Sequence, residues 1–182
     1  MPRDFDTLEA AWQAGRPPPR ARGSVRLICL RKGDGVHETV DEAHLTPEFG
    51  VTGDRWSAAS HPRPAAQVTL MNVRAAELVT GAGALDARPL HTPGDNFLVD
   101  FDLCEEALPV GARLRLGGAA LLEVSALPHT GCGKFSARCG VDALRWVNAE
   151  AHAGRRLRGV NCRVLAPGRV RVGDPIEVFS EN

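Results

Sequence analysis

The amino-acid sequence predicts a mainly β domain with a few inserted helices, a barrel or sandwich rather than a βαβ fold. Short apolar segments recur between Gly/Pro turns, helix-period segments are few, and no GxGxxG or Walker-type loop opens a helix. The 182 residues suit one domain with a short appendage and can bury a substantial core. Hydrophobic residues at 43% and charged residues at 24% exclude wholesale disorder.

Residues 4–14 read as a short helix, because Phe5, Leu8 and Trp12 fall on one face at i, i+3 and i+7. Gly15 and the run Arg16-Pro-Pro-Pro-Arg20 end it as a stiff linker. Residues 1–22 are therefore expected to form an appendage and 23–182 the domain. Val25–Leu30 is an apolar strand, broken at Lys32-Gly-Asp-Gly35. Gln67–Met71 is a second, followed by a helix over Val73–Thr80 that Asn72 caps and Gly81 stops. Asn96–Phe101 alternates apolar and polar side chains like a half-buried strand. Leu114–Leu116 and Ala120–Ser125 flank Gly117-Gly118, a two-residue hairpin signature. Leu144, Trp146 and Val147 suggest a helix from about Val141 to Ala151. Val160–Leu165 and Val170–Val172 flank the turn Ala166-Pro-Gly-Arg169, and Asp174-Pro175 leads into a last strand, Ile176–Phe179.

The charge is neutral overall, with 22 basic and 22 acidic residues, which argues against a dedicated nucleic-acid binder. Its distribution is uneven. Residues 34–106 carry four basic and thirteen acidic groups, whereas Lys134–Arg171 carries nine basic and two acidic. The C-terminal part can thus offer a positive surface to a small anionic ligand, although arginines on solvated faces give the same count. No apolar run approaches the roughly 20 residues needed to span a bilayer, so no membrane partner is expected. The first ten residues carry acids and no apolar stretch, unlike a secretory leader. Five cysteines, an odd number without a CxxC pair, point to free thiols in a reducing cytoplasmic compartment.

The segment richest in chemistry is Leu127-Pro-His-Thr-Gly-Cys-Gly-Lys-Phe135. Glycines on both sides leave the Cys132 thiol uncrowded, with His129 three residues before it and Lys134 two after. A thiolate is the reactive form, and nearby cations or main-chain N–H groups lower its pKa. Cys132 is thus built like a reactive or metal-ligating thiol, and equally like part of a structural turn. His129, Cys132 and Cys139 could also supply three zinc ligands without an evident fourth, or the two cysteines a redox disulfide. Cys29 and Cys162 sit inside apolar strands as core residues. A second cluster, Val51-Thr-Gly-Asp-Arg-Trp56, places Asp54, Arg55 and Trp56 in one turn, for structural hydrogen bonds or for an anion over Arg55 with Trp56 as a wall. In Pro93-Gly-Asp-Asn-Phe97, Asp95 or Asn96 could fix a loop or bind a polar group.

Taken in order, these segments resemble the MOSC family, related to the C-terminal part of molybdenum-cofactor sulfurases. The matching stretches are Gly53-Asp-Arg-Trp56, Gln67-Val-Thr-Leu-Met-Asn72, Gly94-Asp-Asn-Phe97, Leu108–Gly117, Pro128–Phe135, Arg158-Gly-Val-Asn-Cys-Arg-Val164 and Val170–Pro175. The likeness covers about residues 23–180 and implies a β-barrel like that of pyruvate kinase. It also implies sulfur transfer or molybdenum-cofactor binding, with the family's characteristic cysteine at Cys132, as persulfide carrier or molybdenum ligand. Lys134 and His129 would stabilise the thiolate. Arg55, Arg138 and Arg158, with Lys134, are candidates for the cofactor's phosphate, and Asp54, Trp56 and Asn96 complete the proposed cofactor-binding set. Many relatives have Pro-Arg-x-Pro-Cys where this chain has Pro128-His-Thr-Gly-Cys132, so a titratable His replaces an Arg. With no aminotransferase-like domain, pyridoxal phosphate is not expected, and sulfur would come from a separate donor such as a cysteine desulfurase. If the metal centre is redox active, a redox partner is needed and the reaction would resemble reduction of N-hydroxylated compounds. The alternative is a non-catalytic module for a small anion or protein, with a structural Cys132.

Overall fold

A computed structural model describes residues 4–180. Among them are eleven strands and four α-helices: α1 (Phe5–Ala14), β1 (Arg22–Arg31), β2 (His37–Val40), β3 (Glu42–Thr46), β4 (Gly50–Val51), β5 (Val68–Asn72), α2 (Val73–Thr80), β6 (Phe97–Asp100), β7 (Arg113–Leu116), β8 (Ala120–Val124), α3 (Gly133–Cys139), α4 (Val141–Val147), β9 (Val160–Ala166), β10 (Gly168–Arg171) and β11 (Pro175–Val178). Seven strands form a closed ring in the order β11-β7-β8-β9-β5-β6-β1, sealed where β1 meets β11 through Arg22↔Glu177 and Ser24↔Pro175. Strand β2 adds to the outside edge of β1, and β10-β3-β4 form a small separate sheet. The protein is a mainly β barrel, and closure removes the open edges a flat sheet would expose.

Two cores follow from the pattern of burial. Val25, Ile28, Leu70, Phe97, Val99, Phe101, Leu122 and Ile176 fill the barrel. Met71 and Leu98 point the other way and bury under the helices, with Leu8, Val79, Phe135, Trp146 and Val147. Strand β5 is buried at all five positions because both of its faces are covered, which explains why its sequence does not alternate.

Local signals place the helix after β5. The Asn72 side chain accepts from the N–H groups of Arg74 and Ala75, and Gly81 ends α2 at φ +73°. The chain departs from its sequence pattern elsewhere. Strands β9 and β10 flank the expected Pro-Gly turn yet do not pair: β9 lies between β8 and β5, while β10 pairs with β3. Helix α4 stops at Val147, and a 3-10 turn covers Glu150–Arg155 instead of a continuous helix.

The N-terminal helix docks on the domain. Its Asp4 cap accepts from the Thr7 N–H, Leu8 is buried, Phe5 stacks on His152 and Trp12 meets Trp146 edge-on. Glu9 is the polar anchor, accepting from Trp146 Nε1 at 2.9 Å and Arg155 at 3.1 Å and lying 2.9 Å from His152 Nε2. Burial works against its charge, but hydrogen bonds from Trp146, Gln13 and Arg155 outweigh it and hold the carboxyl at about 2. That contribution is present above about pH 4.5 and fades as pH falls toward 2. Replacing Glu9 with Ala strands those donors, so thermal unfolding should show a loss of about 2 kcal/mol and the Trp12–Trp146 fluorescence should shift. An unchanged melting curve would refute the anchor.

Candidate functional site

The site assembles from four segments that lie far apart in sequence: the end of β1, the turn after β4, the loop before β6, and the chain from Leu127 into α3 with Arg158 opposite. Its centre is Asp95, whose side chain has no exposure. Arg158 Nη1 donates to Asp95 Oδ2 at 2.5 Å and Nη2 to the Pro93 carbonyl at 3.3 Å, while the guanidinium lies 4.9 Å over the Phe135 ring. His129 Nε2 is 2.7 Å from Asp95 Oδ1. Burial opposes the Asp95 charge, but Arg158, then His129, holds its carboxyl far below the ordinary range. For His129, burial and the neighbouring Arg158 charge outweigh the carboxylate and depress its pKa. The Nε2 edge of the ring thus faces Asp95, and Nδ1 is the edge turned away from it.

Asn96 ties this centre to a second buried carboxylate. Its Oδ1 accepts from the Thr69 N–H at 3.1 Å, and its Nδ2 donates to Asp54 Oδ2 at 3.0 Å. Asp54 also accepts from Arg31 Nε, Nη2 and backbone N–H at 2.8–3.0 Å and from the Trp56 N–H at 3.0 Å. Its pKa is lowered because Arg31 overcomes the cost of burial. Asp54 and Asn96, expected to touch the cofactor, thus have their polar atoms engaged inside the protein. They position the site. Arg158, expected to hold phosphate, is likewise committed to Asp95 and Pro93.

The other expected residues remain available. Cys132 is exposed and stands at the N-cap of α3. The Phe135 backbone N–H, then that of Lys134, with the charges of Arg158 and Lys134, outweighs burial and lowers its thiol pKa. The other thiols respond in the opposite sense: burial pushes Cys29 and Cys139 up to about 11 and Cys162 to about 12, and it raises Cys104 as well. Lys134 is exposed on the first turn of α3. Arg138, on the same helix, packs over Gly94, whose φ of +86° and lack of a side chain admit the guanidinium; a Cβ there would lie 2.6 Å from its Nη1. Arg55 and Trp56 border an open basic cleft of about 870 Å³ with Arg31, Lys32, His61 and Arg63.

Cys132 and Cys139 bound the seven-residue helix α3, about 10 Å of rise, beyond the roughly 7 Å a disulfide spans. Among the described residues no three His, Cys, Asp or Glu side chains are grouped to hold a metal ion, so the zinc arrangement does not form. No described helix is long and apolar enough to cross a membrane. The sequence reading left out Arg31 as the partner of Asp54. It set Asp95 between a loop and a ligand role, and no short motif signals a hub whose partners lie 34 and 63 residues away.

A barrel carrying an exposed, activated cysteine beside a buried Asp–Arg–His cluster defines a class of thiol-bearing β-barrel domain. The profile of the MOSC domain matches residues 51–177, and the chain belongs to that family. Among solved structures, YuaD from Bacillus subtilis superposes with a TM-score of 0.62 at 18% identity, covering 88% of this chain and 97% of that one. YiiM from Escherichia coli gives 0.58 at 23%, covering 88% and 71%. YiiM from Geobacillus stearothermophilus gives 0.60 at 16%, covering 87% and 75%. These likenesses establish the shared fold. No functionally curated protein matches the sequence.

Two outcomes follow from this geometry. Iodoacetamide at neutral pH should label Cys132 first, with a rate that reaches half its maximum below pH 9.0; peptide mapping that finds another cysteine faster would contradict the assignment. Asp54→Ala leaves the half-buried Arg31 unpaired and should cost about 3 kcal/mol in denaturant unfolding. Because the Asp54 pKa is lowered, the wild-type advantage should be full above the ordinary 3.8 and disappear as pH falls through the folded value.

Proposed function

We propose that this MOSC protein acts through Cys132, as a sulfur carrier or a molybdenum-cofactor-binding protein. The observation that carries the reading is the contrast among the thiols: Cys132 alone is both exposed and lowered in pKa. A soft thiolate suits both a persulfide and molybdenum. The basic side chains fit an anionic cofactor in part, Lys134 and Arg138 on the helix that Cys132 caps and Arg55 on the cleft that Trp56 borders. Arg55 and Arg138 have no carboxylate partner among the described residues, whereas Arg158 is engaged by Asp95. Were the cofactor bound, it would supply two-electron redox chemistry, and reduction of N-hydroxylated compounds is the reaction class we assign to that case.

In this reading the chain's own groups have separate duties. The α3 backbone N–H groups and Lys134 shift Cys132 toward the thiolate. Arg55, Arg138 and Lys134 receive the anionic end of the ligand, with Trp56 as a wall. His129 is held on Asp95 through Nε2, which leaves Nδ1 as its free edge. Sulfur would arrive from a separate donor, a cysteine desulfurase by chemistry, or electrons from a redox partner. The competing reading, a binding module with an inert Cys132, is disfavoured by the exposure of that thiol.

The test is elemental analysis and persulfide titration of wild type and Cys132→Ser expressed in a cytoplasm that makes the cofactor. Wild type should retain molybdenum or accept sulfur from a desulfurase, and the variant should lose more than nine-tenths of either. Wild type that does neither would remove the proposal.

A further inference from the structure

On the side of His129 away from Asp95 lies a cleft of about 360 Å³, within the size range of small-molecule pockets. Its walls are mostly apolar: Val110, Val124, Leu127, Pro128, Val147 and Val160. The polar side chains around it are largely committed to holding those walls. Asn161 Nδ2 donates to the Leu127 and Pro128 carbonyls at 3.1 and 3.2 Å. Asn148 pairs with both the N–H and the carbonyl of Gly131 at 2.8 and 3.0 Å. Ser125 Oγ donates to the Ala65 carbonyl at 2.7 Å. A pocket so braced is formed before any ligand arrives, which lowers the ordering cost of binding.

His129 lines the cleft with its Nε2 fixed on Asp95, which does not line it, so the Nδ1 edge of the ring is the one open to a guest. Arg158 lines the cleft as well, but its Nε–H is buried and closed to a guest. A hydroxyl group supplies the donor that an imidazole nitrogen accepts. On the same cleft, Arg156 holds a left-handed φ of +50°, the one non-glycine residue among those described to do so. Its neighbours fix this costly conformation, since Nη1 donates to the Leu108 carbonyl at 2.6 Å.

We propose that this cleft binds a small molecule with an apolar body and one hydroxyl group, the hydroxyl donating to His129 Nδ1. Cys132 does not line the cleft, so the inference stands apart from the thiol chemistry proposed above. It assigns His129 to the guest's proton instead of to the thiolate.

The test uses phenol and anisole, which differ in the O–H donor. Ligand-observed NMR titrations on the full chain should give saturable binding of phenol and about tenfold weaker binding of anisole, the scale of one hydrogen bond between neutral groups. Ala153→Trp fills the cleft from its rim, away from His129, and should abolish phenol binding while the melting temperature is kept. His129→Phe should bring phenol down to the anisole level. Cys132→Ser should bind phenol as wild type does, so failure of the thiol reading and failure of this one are separable. Equal affinity for phenol and anisole, undiminished binding to a folded Ala153→Trp protein, or no binding of phenol to wild type would each overturn the proposal.

Discussion

The buried pair of Asp95 and Arg158 is the constraint on which the rest of the site depends. A carboxylate with no exposure is tolerated only when cations and donors surround it, and here two partners distant from it in sequence do so. Arg158 joins the loop before β6 to the start of β9 and presents its flat face to Phe135 in α3. His129 brings the Cys132 loop to the same point. One ion pair thus fixes the relative positions of the thiol, the imidazole and two strands of the barrel.

The second carboxylate, Asp54, extends that order to the other side of β6. Asn96 bridges them, because its amide donates to Asp54 and its carbonyl oxygen holds the Thr69 N–H of β5. The result is a continuous buried polar chain, from Arg31 through Asp54, Asn96 and Asp95 to Arg158 and His129. Each member has a partner apart from the Nε–H of Arg158. Polar interiors of this kind define one arrangement sharply, since partial satisfaction is costly in a low-dielectric surrounding. The flexible, solvent-facing groups (Cys132, Lys134, Arg55) are mounted on this frame.

Much of the fold was legible in the sequence, and the reasons are local. Asn72 and Gly81 mark α2 through capping chemistry that acts within four residues, and Gly117-Gly118 marks the hairpin of β7 and β8 for a similar reason. Strands β2 to β4 were not legible: His37–Val40 is a mostly polar segment on the outer edge of β1, and Glu42–Thr46 takes its place from β10, distant in sequence. The exposure of Cys132 was visible from its flanking glycines, although the helix that it caps was not. The internal partners of Asp54 and Asn96 were not legible, because a ligand-binding polar residue and a buried structural one have the same composition. Only their partners tell them apart.

The seam between β1 and β11 bears on how the protein is made. The barrel is sealed by its first and last strands, so a chain leaving the ribosome cannot complete the ring until nearly the whole of it has emerged. Arg158 also appears late, well after Asp95 and His129. During synthesis Cys132 is therefore present before Arg158, the cation that holds Asp95. Contacts this distant in sequence slow folding, and the nascent chain must keep Val25, Ile28 and their neighbours from other partners until β11 arrives.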